Sequence, residues 1–280
     1  MLQFLHQEHF WTSKTVCAEY VKNAKVTQKG IIMNYTITPI CLGYNRHAEK
    51  GSFTYRKDSG QIITVAYLVY LILGNNLHIL VDSGAPNPEK ASSMSYPHLE
   101  DAVFLEDALI SQGVSCNDID AIILTHLHWD HCYNLEQFPN AKIFVQAKEL
   151  RHAVDPSPYD CYAYVATPGE GLPGWMPVFS QLTRLYGEED LFPGIRVLEA
   201  PGHTPGQQVV CVDTEEGPYI VASDMYPLFE NYERRIPNGI SISFDDWYQS
   251  DKKIRKLNAK ILPGHDPLAL KRTVYGAKIL

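Results

Sequence analysis

Residues Thr125-His126-Leu127-His128-Trp129-Asp130-His131 place three imidazoles and a carboxylate within six positions, directly after the apolar run Ala121-Ile122-Ile123-Leu124. Polar groups of this density at the end of a buried strand need partners, because an unpaired polar or charged group costs free energy wherever water is excluded. Three later segments offer them: Gly202-His203-Thr204-Pro205-Gly206, Ala222-Ser223-Asp224 and Pro263-Gly264-His265-Asp266. Seven side chains in these four segments, His126, His128, Asp130, His131, His203, Asp224 and His265, are of the types that bind transition metals through imidazole nitrogen and carboxylate oxygen. The pattern points to a metallohydrolase.

A lone buried histidine is ordinarily a hydrogen-bonded core residue, and His6, His9, His47, His78, His98 and His152 read as structural or surface residues. The cluster has no such ordinary explanation. His126 and His128 are two residues apart and can point the same way, whereas Asp130 and His131 lie past a turn and can point elsewhere. If His203 completes a three-histidine site with His126 and His128, then Asp130, His131 and His265 make a second, and Asp224 is left as a bridge. Two metals roughly 3.5–4 Å apart would polarise a carbonyl and bring the pKa of a shared water toward neutrality from ~15.7. Zinc is the default for nitrogen-rich sites, and iron, manganese or cobalt suit the same ligands.

The rest of the chain reads as alternating strands and helices. Met33–Ile40, Ile62–Leu73 and Leu77–Val81 carry β-branched and aromatic residues, with Gly74-Asn75-Asn76 as the turn of a hairpin that ends in Asp82-Ser83-Gly84. Leu99–Gly113 has apolar residues at helical spacing and stops at a glycine. Strand Ala121–Leu124, a short helical stretch and strand Ala141–Val145 follow. About fifty irregular residues rich in proline and aromatics then read as a functional loop for substrate specificity. Strands resume at Ile195–Glu199, Gln208–Val212 and Tyr219–Ala222, and a helix over Asp245–Asn258 leads to a last strand, Lys260–Leu262. Each candidate ligand stands just after a strand, as sites do in sheets flanked by helices. The fold class expected is α/β, with two mixed sheets face to face and helices outside.

Composition narrows the function. A chain of 280 residues with 45% hydrophobic content can bury one large core, and the expected organisation is an N-terminal extension, 1–32, before a single domain, 33–280. That extension is either an arm that packs on a partner subunit or the product of an upstream start codon. Twenty-four basic residues against 32 acidic give a formal charge of −8, which disfavours nucleic acid as a partner. Six scattered cysteines without paired spacing suit reduced thiols, and neither a signal peptide nor a membrane-length apolar run is visible. A cytoplasmic location is expected. The apolar hairpin and the extension hint at a homodimer.

These residues resemble the metallo-β-lactamase fold superfamily, whose His-x-His-x-Asp-His signature stands here as His126, His128, Asp130 and His131. Within it the chain resembles the N-acyl-homoserine lactonases, the quorum-quenching lactonases, from about Tyr35 to Asp266. The resemblance runs through Leu80–Gly84, Thr125–His131, Ala141–Val145, Pro201–Gln207, Ser223-Asp224, Glu230-Asn231 and Gly264–Asp266. It implies an αββα sandwich, two zinc ions, and a small cyclic ester as substrate, with metal-bound hydroxide attacking the lactone carbonyl. It also implies two roles for Asp130, as ligand and as proton shuttle to the leaving group.

One position departs from the family. The lactonases carry a tyrosine three residues after the bridging aspartate, where this chain has Pro227, and the nearest tyrosine is Tyr226. Tyr226 is therefore the candidate for the missing catalytic hydroxyl, with an ordinary packing role as the alternative. Cys132, just after the motif, reads as a buried inert thiol. Aromatics expected around the pocket are Trp129, Trp175, Phe179, Tyr226 and Phe229. The loss of the family tyrosine leaves room for other substrates: another small cyclic ester or amide, such as a pyridoxolactone-like ring, or a thioester cleaved as in glyoxalase II.

Overall fold

A computed structural model describes residues 35–94, 98–165 and 171–278. The expected N-terminal extension lies outside the described residues.

Eleven strands form two sheets among the described residues. The first sheet holds β1 (Thr36–Glu49), β2 (Ile62–Gly74), β3 (Leu77–Val81), β4 (Ala121–Ile123), β5 (Lys142–Gln146) and β6 (Leu182–Leu185), in chain order. The second holds β7 (Glu189–Phe192), β8 (Ile195–Glu199), β9 (Gln208–Val212), β10 (Tyr219–Ser223) and β11 (Lys260–Pro263). Both are mixed: β3 to β6 run parallel, as do β10 and β11, and the remaining pairs are antiparallel. The β2–β3 hairpin turns on Asn75 and Asn76 with φ of 51° and 58°. That is the left-handed pair a tight hairpin demands, and asparagine tolerates it better than most residues.

Strands covered on both faces explain the long apolar runs. In β2, Leu68, Tyr70 and Ile72 enter the core between the sheets, while Val69 and Leu71 enter a second core on the outer face. In β10, Tyr219 and Val221 face the first sheet, whereas Ile220 and Ala222 face outward. The outer face of the first sheet is covered by α2 (Leu105–Ile110), which follows α1 (Pro88–Ser92), and by α3 (Ala147–Val154). Trp247 and Ile254 of α5 (Phe244–Arg255), the helix after α4 (Phe229–Arg234), cover the second sheet. This is the expected sandwich.

Two expectations change. The helix anticipated over Leu99–Gly113 is reduced to the six residues of α2. Glu100 and Tyr44 exchange two backbone hydrogen bonds of 2.8 Å, and Val103 N donates to Leu42 O, so this stretch is tied to β1 and withheld from a helix. The segment after β5 is also more regular than its prolines suggested, since it contains α3, a 3₁₀ turn at Met176–Gln181, β6 and β7. Four-residue strands with charged residues are what sheet edges require, and such short runs carry little periodic signal.

Candidate metal centre

The segments bearing the seven candidate ligands leave from the C-terminal ends of β4, β8, β10 and β11, which converge on one edge of the sandwich. Two local devices aim them. The β10–β11 register shifts between Val221 and Ser223, and Ser223 adopts φ of 48°, so the chain swings Asp224 off the strand line. Beside it, a Cβ on Gly264 would stand 2.6 Å from Asp224 Oδ1, so only glycine lets the His265 segment approach. Underneath, Gln208 ties the sheets together by donating its backbone N–H to Thr125 O and its side-chain amide to Leu124 O, at 2.9 and 2.7 Å.

All seven side chains meet there, in three overlapping groups whose donor atoms lie within 4.8 Å of one another. These are His126–His128–His203, His126–His131–Asp224 and Asp130–His131–His265. Asp224 spans the first and third groups: its Oδ1 is 3.0 Å from His265 Nε2 and 3.5 Å from His131 Nε2, and its Oδ2 is 3.3 Å from His203 Nε2. Asp130 Oδ2 stands 3.4 Å from both His131 Nε2 and His265 Nε2. His128 turns its Nδ1 inward, 3.1 Å from His126 Nε2 and 3.0 Å from His203 Nε2.

The outward ring nitrogens of four of the five histidines are held, and His128 Nε2 is buried without a hydrogen-bond partner. His131 Nδ1 lies 2.8 Å from Asp82 Oδ2, His265 Nδ1 2.9 Å from Ala66 O, and His126 Nδ1 3.0 Å from Thr125 Oγ1. His203 Nδ1 contacts Ile240 O and Asn238 Nδ2. Such outer contacts fix the tautomer and leave Nε2 free to bind.

Electrostatics favour a cation at the centre. Burial, reinforced by neighbouring imidazoles, holds the pKa of His126 and His128 well below its ordinary value, so both rings are neutral and present lone pairs. Burial disfavours charge on Asp224 too, but His265, His131 and His203 outweigh it and hold the carboxylate well below the usual range. His131 Nε2 and Asp224 Oδ1 are buried without a hydrogen-bond partner. Uncompensated donor atoms converging on one point fit divalent metal.

A cavity of about 300 Å³ opens over this cluster. Asp130, His128, His203, Asp224 and His265 form its floor, with Trp129, Tyr67, Phe53 and Tyr162 among its walls. Of the aromatics expected at the pocket, only Trp129 lines it. Trp175 is in the outer core beneath the first sheet, 1% exposed; Phe179 lies under the Arg184 guanidinium; and Phe229 lines a separate groove with Lys50 and Lys271. His47 and His98, read from sequence as structural or surface residues, are exposed and also line the cavity, their rings edge to face at 6.4 Å.

Tyr226 sits behind the site. Its side chain is 0% exposed, packs against Trp247 and Tyr232, and donates its hydroxyl to Asp251 Oδ1 at 2.8 Å. Asp251 in turn pairs with Arg235 and Arg255. This arrangement is the packing alternative, and it does not bring the phenol to the cavity. Cys132 is buried, its thiol directed to Leu127 O and its pKa pushed well up by burial, which keeps it inert.

Asp82 and Glu149 were not singled out from sequence as site residues. Asp82 follows β3 in the Asp82-Ser83-Gly84 turn, and an acid at a strand end beside a ligand-bearing strand is the signal that could have found it. Glu149 is one polar residue in a short helix, and nothing local marks it.

The model of the metallo-beta-lactamase superfamily matches residues 63–265, which is more than half of the chain. The chain belongs to this superfamily. A protein named "Probable metallo-hydrolase" from Methanocaldococcus jannaschii is 30% identical over 169 residues, spanning 60% of this chain and 64% of that one, a little under two thirds of its length. An N-acyl homoserine lactonase of a Bacillus species is 27% identical over 195 residues, 64% of this chain and 71% of its own. Among solved structures, a quorum-quenching N-acyl homoserine lactone lactonase superposes with a TM-score of 0.68 at 24% identity, over 85% of this chain and 94% of that one. That superposition establishes the shared fold.

Proposed function

We propose that this member of the metallo-β-lactamase superfamily is a dinuclear metal-dependent hydrolase that opens a lactone ring, with N-acyl homoserine lactones as its substrate class. The observation that carries this reading is the span of Asp224, one oxygen 3.0 Å from His265 Nε2 and the other 3.3 Å from His203 Nε2. A carboxylate so disposed suits a bridge between a His126–His128–His203 centre and an Asp130–His131–His265 centre. The nitrogen-rich donor set favours zinc. The substrate class is carried over from the names of the relatives.

When bound, the two ions would supply Lewis acidity and a nucleophilic water at neutral pH. The chain's residues do the rest. His128, His203 and His265 shape the floor on which the ester carbonyl rests, and the walls of Trp129, Tyr67 and Phe53 exclude bulk water. Asp130 faces the cavity and can accept the proton released as water adds to the carbonyl. It then returns that proton to the ring oxygen as the C–O bond breaks, which leaves a hydroxy acid. Turnover of N-acyl homoserine lactones by the purified protein tests this, and no turnover at any acyl-chain length overturns the substrate class.

One observation favours a second reading, a different small cyclic ester: no phenol from the Asp224–Pro227 turn reaches the cavity, because Tyr226 is committed to Asp251. Hydrolysis of simple lactones without turnover of acyl homoserine lactones would select it. We also propose a homodimer in a cytoplasmic setting, to be tested by sedimentation and by fractionation. Among the described residues no helix is long and apolar enough to cross a membrane.

A further inference from the structure

We infer that Glu149, on α3, is the positioning residue for the His126–His128–His203 group and for that group alone. Its carboxylate is 0% exposed and accepts four hydrogen bonds. Oε1 takes Leu127 N at 3.0 Å and Tyr164 Oη at 2.8 Å; Oε2 takes Thr204 Oγ1 at 2.7 Å and Gly206 N at 3.1 Å. Leu127 stands between His126 and His128, and Thr204 follows His203. One carboxylate thus staples two loops, 22 and 55–57 residues away in the chain, whose histidines form a single triad.

The staple is built for a carboxylate. All four partners are donors, so an ionised acid satisfies each of them, which makes its burial tolerable. An amide at the same place would turn its NH₂ toward a backbone N–H whichever way it was flipped, Leu127 N on one side or Gly206 N on the other. Gly206 belongs to the same device, because a Cβ there would collide with the Glu149 backbone. The other triad is held by different means: His131 through Asp82, and His265 through Ala66 O. No hydrogen bond of Glu149 reaches either residue among those described.

This inference rests on the two-centre reading above, and its test separates the two. Full-length protein carrying zinc is titrated with a chromophoric chelator, and zinc released per chain is counted. Wild type should release two equivalents. In Glu149→Gln, one equivalent should leave at about 10–100-fold lower chelator concentration, the usual scale for loss of an outer contact to a ligand, while the other leaves as in wild type. Release of both together at lower chelator, as a generally loosened fold would give, overturns the inference, and so does an unchanged profile. Should wild type carry a single equivalent, the two-centre reading fails by itself, and Glu149→Gln must still weaken that equivalent for the positioning role to stand. If Glu149→Gln does not fold, Thr204→Val removes one donor of the four. It must then shift the same single equivalent by a smaller factor, and no shift overturns the assignment.

Discussion

Asp82 Oδ2 and His131 Nδ1 lie 2.8 Å apart with both side chains buried, across 49 residues of sequence. The same carboxylate accepts from Thr125 N at 2.7 Å and Thr125 Oγ1 at 2.8 Å, so one acid at the end of β3 fixes the ring of one candidate ligand and the start of the loop that carries four. The backbone of Asp82 is left-handed, φ 63°, a conformation that aspartate tolerates better than most non-glycine residues.

Replacing this acid by its amide should therefore weaken metal retention rather than abolish folding. Asp82→Asn keeps the volume but points an NH₂ at a donor, and zinc affinity should fall by about 10–100-fold. Competition with a chelator at pH 7 measures it. Wild-type affinity in the variant would mean that the Asp82–His131 contact does not orient the ring.

Loss of a candidate ligand should cost more than loss of an outer contact. His126→Ala and Asp224→Asn are each expected to lower lactone hydrolysis by more than about 100-fold. The far-ultraviolet circular dichroism should be retained, because the cores between and outside the sheets do not depend on these side chains. Metal-depleted His126→Ala that still turned over substrate would refute a metal-dependent mechanism.

Tyr226→Phe separates packing from catalysis. The phenol donates to buried Asp251, and burial together with that carboxylate pushes its pKa far up, so the hydroxyl stays protonated and engaged. Deleting it should destabilise the fold by about 0.5–1.5 kcal/mol in urea melts, with kcat/KM within about twofold of wild type. A hundredfold fall in kcat at unchanged stability would restore the catalytic role.

Acid sensitivity should have a contribution far from the site, at Glu216. The Arg272 guanidinium, against an opposing effect of burial and with help from the Tyr219 hydroxyl and Gly276 N–H, holds its carboxyl down at about 2. The unfolded value is about 4.3. A folded-state pKa below the unfolded one means that the stabilisation is fully present above about 4.3 and is lost as pH falls through about 2. Glu216→Gln should accordingly be less stable than wild type in urea melts at pH 7. The gap should narrow between pH 4 and pH 2; a gap independent of pH would exclude the ion pair as its source.

Much of the fold and of the site can be read along the chain, for a local reason. Apolar runs such as Ile195–Glu199 and Tyr219–Ser223 mark strands because alternate residues enter cores on both faces. Asn75 and Asn76 mark the hairpin because their backbone must be left-handed. His126 to His131, His203, Asp224 and His265 stand out because each follows a strand, and strand ends on one edge converge. These signals are carried by neighbours in sequence, which is why the sandwich and the set of converging residues can be read without coordinates. The remaining features depend on pairs far apart in the chain. Tyr226 turned inward because Asp251 is 25 residues away on α5, and residues 99–103 left the helix because β1 claimed their backbone. His47 became a cavity wall through the path of β1, and Glu149 met Leu127 and Thr204 only once α3 had packed beneath both loops. A hydrogen bond between distant segments leaves no periodic trace in either one, and it is such bonds that orient the side chains around the seven.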